Sequence, residues 1–209
     1  MKQLLFAGIM AASFSAVADP SPSPAVERVA TFEGAMPTGV TVAPNGRIFV
    51  NYPQWGDNPA FTVGELKDGK VTAYPSQALN NADPSRAAST LISVQSVVAD
   101  AANRLWILDT GAQKFAAPIA GGAKLVAVDL ATNKVVKTIV LSDDVVLPTT
   151  YVNDVRFDLR VGKAGVAYIT DSSVKGPGGI IVVDLDSGHA IRRLSGHAST
   201  MPDKDFVPV

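Results

Sequence analysis

The chain has 209 residues, of which 47% are apolar and 18% charged, so it can bury a core and is not a disordered chain. Its 18 Lys and Arg against 19 Asp and Glu leave a net charge of -1, which supplies neither a basic field for nucleic acid nor a polybasic patch for a membrane surface. It has no cysteine, which excludes disulfides, thiolate zinc sites, iron–sulfur clusters and cysteine nucleophiles.

The first element is an address. Lys2 precedes an apolar run from Leu4 to Ala12, and Ala16-Val17-Ala18 forms a small-x-small site before Asp19. This is the pattern of a signal peptide over residues 1–18, cleaved after Ala18. The run is too short to span a bilayer, which takes about 20 residues. The expected mature chain starts at Asp19 and is secreted or periplasmic. Residues 19–29 are rich in Pro and Ser and read as a stiff linker. No later apolar stretch is long enough to hold the chain in a membrane. An exported chain without cysteine suits a bacterial product held together by core packing.

One strand pattern then recurs. Val40-Thr-Val-Ala-Pro-Asn-Gly-Arg-Ile-Phe-Val50 matches Val97-Val-Ala-Asp-Ala-Ala-Asn-Arg-Leu-Trp-Ile107. Each is a strand, an Asn-containing turn, an Arg (Arg47, Arg104) and a second strand centred on an aromatic (Phe49, Trp106). A third copy runs from Val155 through a longer turn, Gly162 to Gly165, into Val166-Ala-Tyr-Ile-Thr-Asp171, with Tyr168 as the aromatic and Asp171 aligned with Asp109. Strand–turn–strand units follow in each copy, around Lys67-Asp-Gly69, Thr132-Asn133 and Ser187-Gly188. About four strands per 55 to 60 residues, repeated in phase, predict the blades of a β-propeller; a β-sandwich would not repeat the aromatic, the Asp and the turn together. The predicted class is therefore all-β, with blades near residues 30–80, 90–142 and 150–195 and the start of a fourth at 196–209. Propellers close with about four to eight blades, so three leave open faces. The expectation is then a truncated half without function of its own, a chain that pairs with a second half-propeller, or one that exposes apolar surface.

These segments resemble the major royal jelly protein, or yellow, family in its bacterial exported branch. The resemblance rests on Gly39–Val50, Asn103-Arg-Leu-Trp-Ile-Leu-Asp-Thr-Gly111, Lys124-Leu-Val-Ala-Val-Asp-Leu130, Tyr151-Val-Asn-Asp154 with Ala167–Ser172, and Gly196-His-Ala-Ser-Thr200, and it spans nearly the whole mature chain. It implies a six-bladed propeller of which this chain is the N-terminal half. It also implies a secreted protein: some members bind small amines, some insect members are linked to dopachrome conversion, and many have no established catalysis.

In a propeller, the loops entering each innermost strand and leaving the second strand share one face, where several blades can converge on a ligand. The entering segments here contain Thr38, Gln95, Asn153 and Asp154; the leaving segments contain Trp55, Asp109 and Asp171. These seven are the candidate ligand-binding residues, and a small molecule is the expected partner. Asn153 and Asp154 form the sharpest pair: an amide and a carboxylate that could hold a divalent cation such as calcium or hydrogen-bond a ligand amine. Each also has a structural reading. Asn and Asp set turns by bonding their own backbone, Asp109 and Asp171 can tie a blade to its neighbour, and Trp55 can simply pack. An axial cation would instead support a lactonase of the gluconolactonase type, although Glu33, the acid available in the first blade, lies slightly ahead of the inner strand. His189 reads as an exposed hairpin residue and His197 as part of the segment opening the next blade. The sequence has no phosphate-binding glycine loop and no serine nucleophile elbow.

Overall fold

The computed structural model describes residues 25–203 and 205; the expected signal peptide and most of the linker lie outside them. Among the described residues, twelve strands form three four-stranded antiparallel sheets. The first sheet is β1 (Gly39–Val42), β2 (Ile48–Asn51), β3 (Val63–Lys67) and β4 (Lys70–Ala73). The second is β5 (Val94–Ala99), β6 (Arg104–Thr110), β7 (Ala123–Asp129) and β8 (Lys134–Val140). The third is β9 (Val152–Asp158), β10 (Val166–Asp171), β11 (Gly179–Asp184) and β12 (Ala190–Arg193). Each sheet keeps its strands in chain order, and the innermost strands β1, β5 and β9 lie side by side. This is an incomplete propeller of three blades. Among the described residues no helix is long and apolar enough to cross a membrane.

Turn chemistry sets the hairpins. In the first blade, Ala43 N donates to Arg47 O at 2.8 Å, and Gly46 takes a positive φ of 83°. In the second, Asp100 N donates to Arg104 O at 2.9 Å, and Asn103 takes φ 58° at the matching place. Gly and Asn are the residues that tolerate this left-handed position, which is why the turn repeats with that chemistry. The β3–β4 hairpin turns through Asp68 and Gly69 between paired Lys67 and Lys70, both with positive φ, as a two-residue turn of this twist requires. Asp129 and Asp184 close the β7–β8 and β11–β12 turns by accepting from Thr132 and Ser187.

Sheet faces bury mainly against one another, with loop residues such as Leu91, Leu130, Leu141 and Leu185 sealing the edges. Phe49 points at the second sheet, where it joins Leu91, Val97, Leu105, Ile107, Val126 and Val128 in one core. Trp106, one blade further on, faces the third sheet with Leu108, Leu125, Val155, Ile169 and Ile181, and its ring stacks on Phe157 at 5.1 Å. The repeated arginines reinforce this. Arg47 grips Glu65 at 2.6 and 2.8 Å, which raises its pKa, donates to Leu130 O of the second blade, and lies over the rings of Phe49 and Tyr74. Arg104 pairs with Asp100 and lies over Trp106.

The ends of the arc lack such cover. Val40 and Val42 on β1 are 66% and 61% exposed, whereas Val97, at the matching place on β5, is 5% exposed. Tyr168 holds the position of Phe49 and Trp106 yet is 42% exposed, on a face shared with Val182 and Ile191. Residues 196–209 show no fourth blade as far as they are described: after Arg193 comes only a 3-10 turn, Ala198–Thr200, capped by His197 Nδ1.

The repeat predicts unequal costs for equivalent aromatics. Trp106→Ala should cost about 3–5 kcal/mol in urea denaturation, and Tyr168→Ala less than about 1 kcal/mol, because only the first ring is sealed between two sheets. Equal losses would contradict the stacked-sheet core.

Candidate functional site

At the end of the arc where β1, β5 and β9 begin, the three inner strands border a groove of about 380 Å³. Thr38, Gly39 and Val40 line it from the first blade, Gln95, Ser96 and Val97 from the second, and Asn153, Asp154 and Arg156 from the third. Four of the seven candidate residues, Thr38, Gln95, Asn153 and Asp154, are thus brought together.

Their bonds show what remains available. Asp154 Oδ1 accepts from Ser96 Oγ at 3.0 Å, Arg156 Nη1 at 2.6 Å and its neighbour Val155 N; none of these uses Oδ2. Asn153 Nδ2 donates to Ser172 Oγ at 3.1 Å, leaving its own oxygen free. Gln95 Oε1 accepts from Tyr151 Oη at 2.7 Å, leaving its amide hydrogens free. Thr38 Oγ1 accepts from Asn51 Nδ2, which also donates to Val94 O and so joins the first two blades at the rim. A Cβ on Gly39 would collide with Asn51 Oδ1, so a larger residue there would have to displace the Asn51 side chain that joins the blades.

Trp55 stands beside the groove. Its Nε1 donates to Tyr151 Oη at 2.7 Å, and Tyr151 in turn donates to Gln95, a chain linking all three blades. The Trp55 ring stacks on Phe115 at 5.4 Å, and Phe115 meets Tyr151 at 5.3 Å. Burial raises the Tyr151 pKa, and the bond from Trp55 partly offsets that, so the phenol stays protonated at neutral pH.

Asp109 and Asp171 lie outside the groove and are fully engaged. Asp109 accepts from the backbone N–H groups of Ile92, Ser93 and Gly111 and from Lys124 Nζ at 2.7 Å. Lys124 is buried, and its other two donors go to Ala87 O and Gly122 O. Asp171 repeats the arrangement: it accepts from Tyr151 N, Ser173 N, Thr150 Oγ1 and Arg192 Nη2. Each carboxylate fastens the loop leaving its own strand to the loop entering its blade, which fixes the backbone at Ser93 and at Tyr151 outside the groove.

As a cation site the groove is thin. Asp154 and Asn153 offer two oxygens, but among the described residues no three His, Asp or Glu side chains gather, and Glu33 borders a separate hollow with Phe32 and Asp57. His189 is exposed in its hairpin. Sequence reasoning missed Asn51, whose type carries no signal until β1 and β5 are placed on either side of it, and Phe115, which lies in no repeated pattern. Tyr151 was within reach, because it opens the segment containing Asn153 and Asp154.

A family model described as major royal jelly protein matches residues 92–207. No curated protein matches the chain. Among solved structures, a chain of Kuenenia stuttgartiensis hydrazine synthase aligns with a TM-score of 0.48 at 12% identity, covering 75% of this chain and 41% of that one. This chain therefore spans less than half the length of that structure, and a likeness so low carries nothing about chemistry.

Removing the amine of the buried pair leaves Asp109 with its backbone donors and an uncompensated charge. Lys124→Met should lower stability by about 3 kcal/mol or more, as read from urea midpoints.

Proposed function

The chain belongs to the major royal jelly protein family, and on that premise we propose that it is a secreted, yellow-like propeller protein that binds a small amine or aromatic ligand in the groove between β1, β5 and β9. The observation that carries this reading is the convergence of unused polar atoms from the blades: Asp154 Oδ2 and Asn153 Oδ1 as acceptors, and the Gln95 amide as a donor. An ammonium group between the two acceptors would gain a charge-assisted bond. Arg156 does not block this, because its side chain is 71% exposed and such a pair is weak in water. The groove as described is one side of an axial opening that further blades would complete. Secretion is supported by the Lys2–Ala18 pattern.

Tyramine should stabilise the protein saturably in a thermal shift assay. Asp154→Asn should weaken it by about tenfold or more. No shift across a panel of amines and uncharged aromatics would remove the reading. For export, the full chain expressed in a bacterium should be recovered from periplasm or medium with Asp19 as its first residue; an intracellular product still starting at Met1 would contradict secretion.

A further inference from the structure

Between the loops of the second and third blades lies a smaller cavity, about 260 Å³, that the groove reading does not use. Its walls are the rings of Phe115 and Tyr151 with Ala116, Ala117, Pro148 and Val174; its polar groups are Thr149, Ser172 and Lys175. We propose that this cavity is a second binding site, for a planar aromatic carboxylate whose ring lies against Phe115 and Tyr151 and whose anion meets Lys175.

Three observations point the same way. Lys114 and Phe115 both hold positive φ, 52° and 56°, a conformation costly for side chains of this size. The strained loop is held by Lys114 N donating to Gln54 O at 2.8 Å. If Phe115 served only to cover Trp55, its ring would be buried; it is 53% exposed. The strain thus presents an aromatic surface rather than hiding one. Secondly, the Trp55–Tyr151–Gln95 hydrogen bonds hold the Tyr151 ring in place before anything binds, and Phe115 packs against both the Trp55 and Tyr151 rings, which lowers the ordering cost. Thirdly, Lys175 is the one charged group lining the cavity and forms no ion pair among the described residues. Ser172 Oγ accepts from Asn153, so its own hydrogen is left to donate to an anion. The cavity is sized for one or two rings, and it favours the charge opposite to that favoured beside Asp154.

The test is titration of the whole chain with benzoate, followed by tryptophan emission. Trp106 is sealed in the core, so the change reports Trp55, which stacks on Phe115. Benzoate should bind saturably in the millimolar range, and benzamide and benzylamine at least about tenfold more weakly. Phe115→Ala and Lys175→Gln, both exposed positions, should each weaken benzoate by about tenfold. Asp154→Asn should leave benzoate binding unchanged, which separates this site from the groove. A missing benzoate response, equal binding of benzamide, or unchanged affinity in both cavity variants would overturn the proposal.

Discussion

Each four-stranded sheet of this protein is too small to bury its own apolar side chains, so the structure depends on sheets stacking face against face. Phe49 and Trp106 mark that constraint, each sealed by the following sheet. Stacking in a constant sense brings the inner strands β1, β5 and β9 together, and with them the loops that precede and follow them. The groove and the aromatic cluster are consequences of that packing rather than separate features. The same constraint explains Tyr168, Val40 and Val42: at the ends of the arc the pattern continues but nothing among the described residues covers it.

Polar side chains hold the loops at the place where the sheets converge. Asp109 and Asp171 satisfy backbone N–H groups that a tight loop would otherwise bury unpaired, and unpaired groups of that kind cost about 1–3 kcal/mol each. Lys124 and Arg192 neutralise the carboxylates. Asn51 then joins the first blade to the second, and Tyr151 joins the third to both. The atoms left over after this work, Asp154 Oδ2, Asn153 Oδ1 and the Gln95 amide, are those that can meet a ligand.

Membership of the major royal jelly protein family agrees with this architecture and does not by itself assign a chemistry. The groove holds Asp154 of β9 with Arg156 paired to it, while among the described residues the charged side chain lining the neighbouring cavity is Lys175. Tyr151, whose phenol stays protonated because it is partly buried, lines the cavity and hydrogen-bonds Gln95 at the groove.

The all-β class, the three blades and their turns were legible from residues alone, because strand alternation and left-handed turns at Gly46, Asn103 and Asp68-Gly69 are properties of short stretches of chain. So was the equivalence of Asp109 and Asp171. What those carboxylates do was not legible: Lys124 lies a full strand away from Asp109, and Arg192 lies two strands on from Asp171 in its sheet, so the pairing exists only once the sheets have formed. Likewise Trp55, Phe115 and Tyr151 are far apart in the chain, and only the stacking of three sheets brings their rings within contact. Local backbone preference is written residue by residue, whereas the meeting of distant loops follows from how the sheets pack.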